Sequence, residues 1–82
     1  MFFVEQIKAA RMLLHWDQAT LAKNAGVGLA TVKRLEATSG VIGGTMASAV
    51  RIRAALEKAG VQFIVADEQG GMGVRLRKGG KT

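Results

Sequence analysis

The sequence predicts a mainly α-helical fold, in which four helices form a bundle and a β-hairpin follows at the C-terminal end. Apolar residues recur at three- and four-residue steps in four segments, which is the spacing of amphipathic helices. Glycines stand where two of these helices should stop, at Gly26 and Gly60. After Gly60 the apolar residues alternate with a period of two, which is typical of a strand.

The first two helices are predicted on either side of Asp17. From Val4 to Leu14 the inward residues include Ile7 and Ala10, at helical spacing. Asp17 can cap a second, two-turn helix by accepting backbone N–H bonds, and Gly26 can end that helix with a positive φ.

The third helix is predicted to begin directly after a tight corner, Gly26-Val27-Gly28, with Val27 buried beneath it. It should run from Leu29 to about Ala37 and bury Val32 and Leu35. The outward side chains of this helix have no evident packing role: Leu29, Ala30, Lys33 and Arg34.

A loop is predicted from Thr38 to Gly44, because this stretch is uncharged and rich in glycine. Thr45 can cap a fourth helix from Met46 to Ala59. Its inward residues follow helical spacing: Ala49, Ile52, Leu56 and Ala59.

The hairpin is predicted from the alternation of Val61, Phe63 and Val65 after Gly60, a break at residues 67–71, and a second strand at Val74–Arg77. An isolated hairpin is marginally stable, so it should pack on the helices or pair with another chain. We therefore divide the chain into three parts. Residues 1–60 form the helical domain, residues 61–78 form a hairpin that is a candidate dimerisation element, and residues 79–82 form a tail. The basic residues of this end form either a phosphate-binding arm or a solvated tail: Arg75, Arg77, Lys78 and Lys81.

Composition narrows the function classes. The net charge of +6 on 82 residues favours a polyanionic partner, either nucleic acid or an anionic membrane. The absence of Cys and the single His exclude a disulfide framework and a Cys/His zinc site. With no acid/base or nucleophile set we expect neither an enzyme nor a metal or cofactor site. No leader segment or membrane-spanning run is evident, so we expect a cytoplasmic, nucleoid-associated protein.

The segment from residue 18 to 36 resembles the Cro and lambda-repressor type of helix-turn-helix, the XRE family. The family pattern is Gln-x-x-Leu-Ala-x-x-x-Gly-Val-x-x-x-Thr-Val/Ile-x-x-x-Glu. It is met by Gln18, Leu21, Ala22, Gly26, Val27, Thr31, Val32 and Glu36. The resemblance extends over roughly residues 5 to 59 and implies a lambda-repressor-like four-helix bundle.

The resemblance also implies a role for each matching position. The positions that face base edges in this family are Leu29, Ala30, Lys33 and Arg34. The expected phosphate contacts are Gln18, Lys23, Gly28, Thr31 and Ser39. Arg11 and Glu36 stand where the family commonly has an internal ion pair. The chain departs from the pattern at Gly28, where Ser or Thr often caps the recognition helix, and at Thr38, near a common Gly. The 37–44 loop also lacks basic residues, which lowers the affinity expected for DNA.

The resemblance implies a transcriptional regulator, specifically a repressor, that binds a palindromic operator in double-stranded DNA as a homodimer. The alternative is an antitoxin-like or other protein-interaction module, in which the hairpin holds a protein partner. A membrane is not expected as a partner.

Overall fold

The computed structural model of the chain describes residues 2–42 and 46–78. The elements follow in the order β1 (Phe2–Phe3), α1 (Val4–Leu13), α2 (Gln18–Ala25), α3 (Leu29–Glu36), β2 (Val41–Ile42), α4 (Ala47–Lys58), β3 (Val61–Ile64) and β4 (Gly73–Leu76). The four predicted helices and the predicted hairpin are confirmed. The pairing of β1 with β2 was not predicted.

Helix α1 ends in a Schellman motif. The N–H of Trp16 donates to the carbonyl of Arg11 at 3.0 Å and the N–H of His15 donates to that of Met12 at 3.1 Å. This closure puts His15 in the left-handed region at φ 56°, a position that glycine usually occupies. His15 is exposed, and Trp16 packs on the core.

A single core lies between the helices. Its fully buried side chains include one or two from each helix: Ile7, Leu21, Val32, Ile52 and Leu56. Ala10, Ala22 and Ala49 fill the positions where helices approach closely. Helical spacing in the sequence therefore identified the inward faces correctly.

The loop predicted from Thr38 to Gly44 is wrong in part, because Val41–Ile42 forms strand β2. Phe2 pairs with Ile42 and Phe3 with Val41 in an antiparallel register. The pairing buries Phe2 and Ile42 to 4% exposure each, so the burial of two large apolar side chains stabilises the strand pair. Thr45, predicted as a helix cap, lies outside the described residues, and Met46 takes the N-cap position of α4 without a side-chain hydrogen bond.

The hairpin packs on the helices. Strand β3 pairs with β4 from Val61 opposite Leu76 to Ile64 opposite Gly73. Val61 is buried, and Phe63 and Val74 pack against the core. Val65, included in the predicted alternation, falls after the strand and is 70% exposed.

Arg53 of α4 joins the two strand pairs. Its guanidinium carbon lies 5.1 Å from the ring centre of Phe2 and 4.6 Å from that of Phe63, and the two rings meet edge to face at 5.8 Å. Such contacts stabilise by about 0.5–2 kcal/mol. Across residues 2–42 and 46–78, none of the helices has the length and apolar character needed to cross a membrane.

Candidate nucleic-acid interface

The candidate interface is built on the unit formed by α2, the turn at residues 26–28, and α3. Asp17 accepts a 2.7 Å hydrogen bond from the N–H of Thr20 and so caps α2 as predicted. At the other end Gly26 takes φ 71°, which glycine adopts without a steric penalty. The N–H of Val27 then returns to the carbonyl of Ala22 at 3.1 Å. Local chemistry thus defines both ends of α2 and the direction of the chain leaving it.

Helix α3 starts immediately after this turn. Gly28 is its N-cap residue, with extended backbone, and its carbonyl accepts from the N–H groups of Thr31 and Val32. No side chain caps the helix here. At the C-terminal end the Thr38 hydroxyl donates to the carbonyl of Leu35 at 2.7 Å. The helix is therefore closed at its C-terminal end by a threonine side chain.

The outer face of α3 carries all four residues predicted to face base edges. Leu29 is 39% exposed, and Ala30, Lys33 and Arg34 are also exposed. Among the described residues neither Lys33 nor Arg34 forms an ion pair. Two cationic side chains thus project from one short helix with their donors available.

A buried polar network holds α3 against α1 and α2. Arg11 and Glu36 form a two-pronged ion pair, with Nε to Oε2 and Nη2 to Oε1 both at 2.9 Å. Gln18 adds a third donor to Glu36 at 3.1 Å, and Arg11 Nη1 donates to the carbonyl of Trp16 at 3.0 Å. The Glu36 side chain is 4% exposed and that of Arg11 17%. This planar, bidentate geometry orients α3 relative to the other helices.

The residues predicted to contact phosphates differ in their solvent exposure. Lys23, Gly28 and Ser39 are exposed, whereas Gln18 and Thr31 are half-buried. One amide N–H of Gln18 is used by Glu36, which leaves its second N–H for another acceptor. The structure therefore gives Gln18 a role in positioning α3 that the sequence did not predict.

The carboxylate of Asp17 lies at the N-terminal end of α2, next to Gln18. Hydrogen bonds from the Thr20 backbone N–H and the Thr20 hydroxyl lower the pKa of Asp17 below its ordinary value. The ionised carboxylate offsets part of the positive potential of the helix N-terminus.

Gln6 is a buried polar residue whose role sequence analysis missed. It is 3% exposed; its Oε1 accepts from the N–H of Phe3 at 2.8 Å, and its Nε2 donates to the carbonyls of Ile64 at 3.1 Å and Gly73 at 2.9 Å. A glutamine at the third position of a helix could have indicated the local half of this arrangement, since that residue often returns to the N-cap N–H. The two bonds to the hairpin could not be read from the sequence.

Comparison of the chain with protein-family models, with curated proteins and with solved structures finds no match. In the part of the chain that the structure describes, His, Asp and Glu side chains do not gather in groups of three that could hold a metal ion.

Proposed function

We propose that the chain is a sequence-specific DNA-binding protein of the helix-turn-helix type, with a lambda-repressor-like arrangement of its helices. The observation that carries the proposal is the outer face of α3, where Lys33 and Arg34 project beside Leu29 and Ala30 from a helix held by the Arg11–Glu36 pair. The motif at residues 18–36 and the net charge of +6 support the same function.

In the proposed complex α3 enters the major groove, which admits an α-helix. Arg34 can give two parallel hydrogen bonds to O6 and N7 of guanine, and Lys33 can bind a second guanine or a phosphate. Leu29 and Ala30 offer apolar contact to a thymine methyl group. Lys23, Gly28 and Ser39 would bind phosphates that position the helix.

We further propose that the chain acts as a homodimer on a pseudo-palindromic operator, with the two copies of α3 about one turn of DNA apart. The hairpin is the candidate dimerisation element, because within residues 2–42 and 46–78 strands β3 and β4 pair only with each other, and another strand could add to an outer edge. Repression would follow from an operator that overlaps the site of polymerase binding.

Selection of bound sequences from a random DNA duplex library, at two salt concentrations, tests the proposal. The expected result is a palindromic motif whose affinity falls with salt by a log–log slope of about −0.9 per phosphate contact. Absence of enrichment at both salt concentrations would refute DNA recognition by the chain alone.

The variant Arg34→Ala identifies the contact. It should weaken binding to the selected site by about 1–3 kcal/mol and relax the preference at one base position of each half-site. The matched control is Lys58→Ala, which removes one exposed positive charge at the C-terminal end of α4, next to Asn24 and Ala25. An identical effect of both variants would mean that Arg34 acts only through net charge.

A protein-interaction module is the second candidate function, and the exposed apolar residues of the hairpin favour it. Val65 is 70% exposed and Leu76 is 41% exposed. A stoichiometric complex with an independently identified protein partner, lost in a Val65→Asp/Leu76→Asp variant that keeps the wild-type melting temperature, would support this candidate.

A further inference from the structure

A groove of about 720 Å³ lies between α3, β2 and the N-terminal end of α4. This volume is within the usual range for small-molecule sites, roughly 300–1,000 Å³. Most of its lining surface is apolar, contributed by Val4, Leu35, Val41, Ile42 and Met46. The same face carries part of the proposed DNA interface, because Thr31 and Arg34 also line the groove.

The apolar lining is open to water. Val41 is 55% exposed and Met46 is 52% exposed, although both lie beside the buried Ile42. Apolar side chains cannot donate the hydrogen bonds that DNA phosphates accept. The groove therefore suits an apolar ligand better than it suits the DNA backbone.

The polar residues that line the groove indicate which charge a ligand should carry. Arg34 is the one charged residue among the described residues that line it, and the other polar residues of the lining are Thr31, Thr38 and Ser48. A guanidinium has only donors, and its planar fork matches a carboxylate. A ligand that complements this groove has an apolar body and an acidic end.

We propose that the groove binds a small amphipathic carboxylate, whose acidic group pairs with Arg34 and whose apolar body contacts Val41, Leu35 and Met46. Competition between this ligand and DNA rests on the proposed function. A guanidinium that binds a carboxylate cannot bind guanine at the same time, so the bound ligand competes with DNA. Such a ligand lowers the apparent affinity for DNA in proportion to its own occupancy.

Titration of the ¹⁵N-labelled chain with octanoate, followed by NMR in the absence of DNA, tests the site directly. Octanol and octylammonium are matched probes that keep the apolar body and change the end group. The expected result is saturable shifts at residues lining the groove, with octanoate bound about threefold to fivefold more tightly than octanol, because Arg34 is exposed and solvent screens the ion pair. Octylammonium should bind more weakly than octanol.

Two pairs of variants locate the contacts. Arg34→Ala should abolish the preference for octanoate over octanol, whereas Lys58→Ala should preserve it. Met46→Gln should weaken both probes, whereas Met12→Gln, which alters a methionine that is 66% exposed and outside the groove, should weaken neither. Equal binding of octanoate and octanol, or equal losses in Arg34→Ala and Lys58→Ala, would overturn the proposal.

A second measurement separates this site from DNA binding. If the selected operator binds, octanoate should reduce that binding, and at DNA concentrations well below the Kd for DNA the midpoint should equal the dissociation constant of octanoate from the NMR titration. Binding of octanoate without any selected DNA sequence would support the groove and refute the proposed function. A selected operator with no octanoate binding would support the proposed function and refute the ligand site in the groove.

Discussion

Replacement of Glu36 by Gln should destabilise the protein strongly, although it changes only one atom of the side chain. Glu36 accepts two hydrogen bonds from Arg11 and one from Gln18, and its side chain is 4% exposed. Glutamine removes the negative charge and one acceptor, so the guanidinium of Arg11 is left unbalanced in a mostly dry site. Loss of one partner of a buried pair costs about 3–5 kcal/mol.

The lower end of that range applies here. Arg11 is 17% exposed and keeps its bond to the carbonyl of Trp16, so part of its charge stays solvated. At about 2.1 cal/mol/K per residue, the entropy of unfolding for 82 residues is about 0.17 kcal/mol/K. A loss of about 3 kcal/mol therefore lowers the melting temperature by about 15–20 °C.

Thermal unfolding followed by circular dichroism at one protein concentration measures this change. The control is Glu57→Gln, which breaks the exposed pair of Arg53 and Glu57 and should cost no more than about 0.5–1 kcal/mol. The double variant Arg11→Met/Glu36→Leu should recover most of the loss, because no unpaired charge remains. Equal effects of Glu36→Gln and Glu57→Gln would show that the buried network does not stabilise the protein more than an exposed ion pair does.

Three further predictions concern single residues. Gln6→Ala should cost about 1–3 kcal/mol, because it leaves buried hydrogen-bonding groups unpaired, and hydrogen exchange should rise in the hairpin more than in the helices. His15→Gly should stabilise the protein by about 0.5–1 kcal/mol in chemical denaturation, since φ is 56° there, whereas Ala9→Gly within α1 should destabilise it. Asp17 has a lowered folded pKa, so the stability from its charge is present above the ordinary aspartate pKa and is lost as pH falls through the lowered value. Melting curves of wild type and Asp17→Asn should therefore differ in their acid dependence, and parallel curves would contradict a role for the bond from Thr20.

Features defined by neighbouring residues could be predicted from the sequence. Asp17 and Thr20 lie within one helical turn, and Gly26 permits a positive φ whatever surrounds it. The inward faces of the helices follow from spacing alone, and the exposure of Lys33 and Arg34 follows from the same spacing. The sequence motif, rather than the fold, is the source of the proposal that these two residues bind DNA.

Features that join distant parts of the chain were decided by the tertiary structure. Gln6 bonds to carbonyls 58 and 67 residues away, and strand β1 is too short to be recognised without its partner β2. Arg53 is half-buried because Phe2 and Phe63 meet above it. The groove beside Arg34 exists only because β2 and the start of α4 pack next to α3. Helix periodicity and caps depend on interactions within a few residues, whereas strand pairing, buried hydrogen bonds and grooves depend on which distant segments the folded chain brings together.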